Sequence, residues 1–247
     1  MTKLILNADD FGYSKGINLG ILEAHQEGIL SSTTLMVNMP AAKHAFQLAK
    51  ANEKLGVGIH FVLDLGFPVS EHVPSLVDEH GRFLKENPFI LHAEPEEIKK
   101  ELISQLEKFL SFGLTPTHID SHHHIHRHEK IFPIVCELAE TYQLPVRPTS
   151  VESSTVLEKK GIKKVEYFNP DFFGDELDIN YLKTMLADAK KYNTVEIMTH
   201  PGYIDYPVLT GSSYNTQRAI ELAILTAPEI KQYIQENNIN LITYREI

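Results

Sequence analysis

Thr117-His118-Ile119-Asp120-Ser121-His122-His123-His124-Ile125-His126-Arg127-His128-Glu129 joins two kinds of sequence in one stretch. Its first residues, with Thr115-Pro116 before them, read as a short β-strand. Its second half is a histidine cluster, and six of the chain's thirteen histidines fall between His118 and His128. Neutral imidazole is the commonest metal ligand in proteins. A solvated histidine-rich tract, or a purification tag, has the same composition without a built site. A tag belongs at a terminus, whereas this cluster lies mid-chain at the exit of a strand. That placement favours a constructed metal site and asks whether other strands end on similar groups.

Working outward, strand-like and helix-like segments alternate. Leu4–Ala8, Ser32–Val37, Val57–Leu63, Thr117–Asp120, Pro145–Arg147, Thr194–Thr199 and Leu241–Tyr244 read as strands. Gly16–Glu27, Ala41–Ala51, Glu96–Phe112, Glu129–Tyr142, Arg218–Ala227 and Glu229–Glu236 read as helices. In Glu96–Phe112 the residues Ile98, Leu102, Leu106 and Phe109 share one face; Pro95 suits the first turn and Gly113 the C-terminal cap. Such alternation predicts an α/β fold with a mainly parallel sheet. Seven or eight strands in 247 residues favour a single-domain, distorted (β/α) barrel over an open sheet. Two stretches break the rhythm, Gly66–Ala93 with three prolines and the irregular Ser150–Asp178. Both are expected to be long insert loops, the first lying over the site.

Composition narrows the partners. A formal charge of −10 and no Lys/Arg cluster argue against nucleic acid and anionic membranes. No segment approaches a membrane span, and the N-terminus lacks a signal-peptide pattern. The single cysteine, Cys136, excludes an internal disulfide and reads as a buried small hydrophobe. A reducing cytoplasm is the expected location.

Chemistry-bearing residues recur at strand ends: Asp9 and Asp10, His60, Asp120 and His122, Arg147, and His200. In a parallel barrel those ends converge on the face that carries the active site. Adjacent Asp9 and Asp10 can both reach it only where the chain already bends; one can then bind a metal while the other accepts a proton. An acid capping the next helix is the plainer reading, but Ser14 is the better-placed cap. His60 lies among apolar residues, where a lone histidine is usually a core residue. Flanking Gly56 and Gly58 and the other strand-end groups reverse those odds. Of His122, His123, His124 and His126, one or two can reach a common ion; the rest are expected to orient ligands or face substrate. His118 and His128 read as bystanders. His200, in Met-Thr-His-Pro-Gly, suits a general acid. Arg147 reads as orienting a carboxylate or as a structural ion pair, and Tyr203 as a substrate contact.

Five ordered stretches together resemble the YdjC/ChbG-like carbohydrate deacetylases, relatives of the NodB-type polysaccharide deacetylases: residues 6–16, 31–38, 58–63, 116–126 and 199–205. The closing Tyr-Arg-Glu-Ile fits too, so the resemblance spans nearly the whole chain. It implies a distorted barrel, often a homodimer, that removes acetyl groups from N-acetylated sugars such as chitooligosaccharides. It further implies one divalent metal on Asp10, His60 and His122, with Asp9 as general base and His200 as general acid. His124, His126, Arg147 and Tyr203 are then substrate-facing or supporting residues. Family descriptions name Mg²⁺, whereas imidazole ligands favour Zn²⁺, Co²⁺ or Ni²⁺. Two other classes fit the cluster alone. A hydrolase of another bond, such as a phosphoester, would use two metals and more carboxylates. A metal storage or delivery protein would need neither the Asp9 base nor the His200 acid.

Overall fold

In the computed structural model, which describes residues 2–85 and 92–247, the strand pairs of the sheet are all parallel. The strands are β1 (Lys3–Phe11), β2 (Ser32–Leu35), β3 (Gly56–Phe61), β4 (Ile119–Ser121), β5 (Tyr167–Asn169), β6 (Thr194–Thr199) and β7 (Asn240–Leu241). They pair in the order β4-β3-β2-β1-β6-β5, with β7 also on β1. One edge of β1 carries β6 from Lys3 to Ala8. Its other edge is shared, β7 pairing at Lys3–Leu4 and β2 from Asn7 onward. The sheet curls into a distorted barrel, as the alternation predicts.

Helices α1 (Lys15–Gln26), α2 (Ala42–Ala51), α3 (Pro95–Ser111), α4 (Phe132–Tyr142), α5 (Val151–Lys159), α6 (Ile179–Ala189), α7 (Tyr206–Gly211), α8 (Thr216–Thr226) and α9 (Pro228–Glu236) connect the strands. Ser14 caps α1, its hydroxyl accepting the Ile17 N–H at 3.1 Å, which leaves Asp9 and Asp10 free of that duty. In α3 the face formed by Ile98, Leu102, Leu106 and Phe109 is fully buried. Gly113 follows that helix at φ +76°, a left-handed position open to glycine without steric cost. α1 lies close against the loop after β6: a Cβ on Gly20 would stand 2.5 Å from the Gly202 Cα. Cys136 is buried, and no described helix is long and apolar enough to cross a membrane.

Three details differ from the sequence reading. Pro145–Arg147 forms only a bridge, Ile119 with Val146, rather than a strand. Pro145 and Pro148 have no N–H to extend a ladder. Ser150–Asp178 contains α5 and β5, and α6 and α7 follow it unforeseen. Only Ser153 and Leu157 of α5 are buried, so it carries almost no apolar period. The described part of Gly66–Ala93 lies along α3, with Glu101 accepting the Val69 and Ser70 N–H groups and Glu97 that of Ser75. Residues 86–91 of that expected loop lie outside the described residues.

Candidate functional site

β1 does not leave the sheet as a regular strand. Its register with β2 shifts between Ala8 and Phe11, and Asp10 takes φ +71°. Aspartate tolerates this left-handed conformation better than most residues. The bulge breaks the side-to-side alternation of a strand, so two consecutive carboxylates line one cavity of about 370 Å³. His60, His122, His123, His124 and His200 line it too. No described residue of 66–85 lines it.

Below the cavity the barrel interior is filled by an ionic column. Arg147 is fully buried. Its Nη1 and Nη2 donate to the two oxygens of Asp9 at 2.8 and 2.7 Å, the fork-to-carboxylate geometry that arginine suits best. Nη2 also lies 2.9 Å from Asp120 Oδ2, and Nε donates to Glu196 Oε1 at 2.8 Å. Tyr244 donates its hydroxyl to Glu196, and the His118 ring stacks on Tyr244 with centroids 3.8 Å apart. Burial opposes the charge on Asp9, but the Arg147 guanidinium holds its carboxyl below the usual range. Both sequence readings of Arg147 thus meet in one residue: it orients a site carboxylate through a buried ion pair. Gly56 and Gly58 serve this interior, since Cβ atoms there would strike Thr243 and the His118 ring.

His60 stands between the column and the cavity. Nδ1 donates to Asp120 Oδ1 at 2.7 Å, because a carboxylate can only accept, and Nε2 faces Asp10 Oδ1 at 3.6 Å. Burial opposes a charge on this ring, yet Asp120, with Asp9 and Asp10, raises it to about 9. The pocket around Nε2 thus favours a cation. After Ser121 the chain turns sharply, His123 and His124 both taking left-handed backbone (φ +48° and +53°). Strained non-glycine backbone of this kind concentrates at functional sites. The turn brings His122 and His123 onto the two oxygens of Asp64, each through Nδ1 at 2.7 Å.

Each of two His/Asp clusters, Asp9–His60–Asp120 and Asp64–His122–His123, therefore holds its own ligand atoms within 4.8 Å of one another, and a metal-binding arrangement is present. Within it, His60 and His122 each have Nδ1 fixed by a carboxylate and Nε2 left over, the arrangement by which outer carboxylates orient metal-binding imidazoles. Arg147 already occupies the inner side of the first cluster; neither cluster includes Asp10, which faces His60 Nε2 at 3.6 Å.

His200 lines the same cavity from the end of β6, one residue past the Ala8–Thr199 pair. Glu221 accepts its backbone N–H, and the rings of Phe173 and Tyr214 stand edge-on to it at 5.4 and 5.6 Å. Burial pushes His200 down to about 4, with Asp9 and Asp10 opposing, so its imidazole rests neutral. Phe173 and Tyr214 stack on each other at 4.1 Å, and Phe173 remains about half exposed.

Of the other expected residues, His124 lines the cavity with its ring edge-on to Phe168. His126 is buried behind it, between the Ser121 hydroxyl and the Arg147 carbonyl, and supports rather than faces the cavity. His128 turns away, its ring Nδ1 accepting the Lys130 N–H. Tyr203 does not join the cavity; it lies on the surface with its hydroxyl on Glu23. The structure adds Asp64, Glu196, Tyr214, Arg218 and Glu221. Asp64 had a signal, an acid just beyond a strand that already carries His60. Glu196 had one too, a charge inside the apolar strand Thr-Val-Glu-Ile-Met-Thr.

A family model described as YdjC-like protein matches residues 3–236. The carbohydrate deacetylase of Brevibacillus brevis is 53% identical over 246 residues, covering 99% of both chains. That of Geobacillus stearothermophilus is 51% identical, covering 98% of this chain and 96% of its own. A crystal structure from Enterococcus faecalis V583, of a protein provisionally assigned to cellobiose-phosphate cleavage, superposes with TM-score 0.94. It shares 34% identity and covers 99% of this chain and 98% of its own.

Proposed function

The chain belongs to the YdjC-like family of carbohydrate deacetylases, and on that footing we propose that it hydrolyses the acetamide of N-acetylated sugars or oligosaccharides at this cavity. The enzyme is a metal-dependent hydrolase of a linear C–N bond. One observation carries the site assignment: two imidazoles pinned through Nδ1 by carboxylates line one cavity with Asp9, Asp10 and His200, and His60 Nε2 faces Asp10 Oδ1 at 3.6 Å.

Asp10, His60 and His122 would hold the divalent ion. When bound, such an ion polarises the acetyl carbonyl and acidifies a water, toward a pKa of about 7 for zinc. Two nitrogens and one carboxylate favour Zn²⁺, Co²⁺ or Ni²⁺ over Mg²⁺. Asp9 accepts a proton from the attacking water; fixed by Arg147 and by an N–H of Asn7 at 2.9 Å, it needs no reorganisation to do so. The C–N bond then breaks, and His200 delivers a proton to the departing sugar nitrogen. Because His200 rests neutral, it takes that proton from solvent as negative charge builds on the acetyl oxygen, and Asp9 returns its own proton to solvent after the bond breaks, so both groups end as they began. His124 lines the cavity and His126 supports it from behind. A reducing cytoplasm and a homodimer complete this reading, the single buried cysteine supporting the first.

Screening acetylated mono- and oligosaccharides for acetate release tests the reading, with chelated enzyme as control. Chelation is expected to lower the rate about 100-fold or more, and Zn²⁺ or Co²⁺ to restore it. Acetate release that survives complete metal removal would sink the metal-dependent reading.

The exposed face of Phe173 is where a sugar ring bound at His200 would rest. Removing it costs apolar contact formed in substrate and transition state alike, so Phe173→Ala should raise KM about tenfold and leave kcat nearly unchanged. Steady-state kinetics on the preferred sugar checks this, and an unchanged KM removes Phe173 from the binding face.

A further inference from the structure

Arg218, in the first turn of α8, reaches the same cavity from the far end of the chain. It is 4% exposed, and Nη2 donates to Asp10 Oδ2 at 2.6 Å. Nε donates to the Tyr214 carbonyl at 2.9 Å, and the guanidinium carbon stands 5.7 Å from the Tyr214 ring. The Arg218 carbonyl accepts the Gly202 N–H at 3.2 Å, tying α8 to the loop that follows His200. Among the described residues, Asp10 is the only carboxylate paired with Arg218.

The two oxygens of Asp10 are therefore unequal. Oδ2 is taken by a cation, while Oδ1 faces His60 Nε2 at 3.6 Å. We propose that Arg218 is a positioning residue that restricts Asp10 to one-oxygen ligation of the metal and offsets part of its charge. Resting on the reading of Asp10 as a ligand, this role preserves open coordination positions for water and the acetyl oxygen. A free aspartate could close one of them by binding through both oxygens. The Arg218 guanidinium charge also opposes a divalent cation nearby. Arg218 thus weakens metal binding in exchange for a more accessible and more electrophilic ion.

Measuring zinc affinity by competition with a chromophoric chelator separates this from a merely structural role. Arg218→Met is expected to bind Zn²⁺ about tenfold tighter while kcat for acetate release falls about tenfold. The visible absorption of its Co²⁺ form should weaken as a coordination position fills. A structural lesion would instead weaken metal binding and turnover together. Unchanged or weaker zinc affinity in the folded methionine variant overturns the proposal. If that variant does not fold, Arg218→Lys decides: it keeps the charge and one donor, so its zinc affinity should stay within about threefold of wild type. A larger shift there overturns the proposal equally. Asp10→Asn tests the underlying reading separately. Wild-type zinc affinity in that variant would remove Asp10 from the ligands, whatever Arg218 does.

Discussion

Asp9→Asn should lower kcat for acetate release about 10²–10⁴-fold, the usual contribution of a general base, with one metal per chain retained. Asp9 is distinct from Asp10 in this respect. Its oxygens already receive N–H groups from Arg147 and Asn7, so it is held in place by neighbours of its own rather than by Arg218. The same pairing keeps Asp9 ionised throughout the neutral range, so the acid limb of a pH–rate profile belongs to another group. An acceptor so stabilised is a weak base and works only on an unusually acidic water, which is what a divalent ion provides. Asparagine would also turn an N–H toward the guanidinium, so the variant's unfolding must be measured beside its kinetics. A folded, metal-loaded Asp9→Asn enzyme turning over within tenfold of wild type would exclude Asp9 as the base.

The legible parts of this site share one cause. Asp9, Asp10, His60, His122 and His200 each sit at or beside the end of a strand whose apolar run is unmistakable, and a parallel barrel gathers such ends onto one face. Even the requirement that the chain bend at Asp9–Asp10 could be read, and the bulge with Asp10 at φ +71° supplies it. Arg218 and Glu221 were not legible in the same way. They lie three residues apart on α8, both buried, where an amphipathic helix ordinarily carries apolar residues. Two charges on the inner face of a helix are a signal, but nothing local says which strand end they will meet. The inserts failed for the opposite reason. α5 buries only two side chains and starts from a Ser150–Ser153 capping box, and the three residues of β5 are held by pairing with β6, so periodicity announces neither.

Arg147→Met should destabilise the protein by about 3–5 kcal/mol at neutral pH, the range for removing one member of a buried ionic group. Methionine fills much of the same space, so the loss is chiefly electrostatic: Asp9, Asp120 and Glu196 would share the interior with no arginine between them. The pH dependence gives the effect its signature. In the wild type Asp9 titrates below its unfolded value, so its contribution is present above the unfolded pKa and is lost only as pH falls through the lower, folded one. Without Arg147, burial acts on Asp9 and Glu196 with no guanidinium to oppose it and pushes both folded pKa values up; burial already raises Glu196 despite the pairing. The variant's folded state would then bind more protons than its unfolded state as pH falls from 7 toward 5, and regain stability over that window. Urea unfolding at pH 7 and pH 5 should therefore show the gap to wild type narrowing on acidification. A gap that is constant with pH, or below about 1 kcal/mol throughout, would mean that the carboxylates do not depend on Arg147. Turnover should fall as well, because the guanidinium that steadies the interior is the one that aims Asp9, so a single substitution reports on both fold and chemistry.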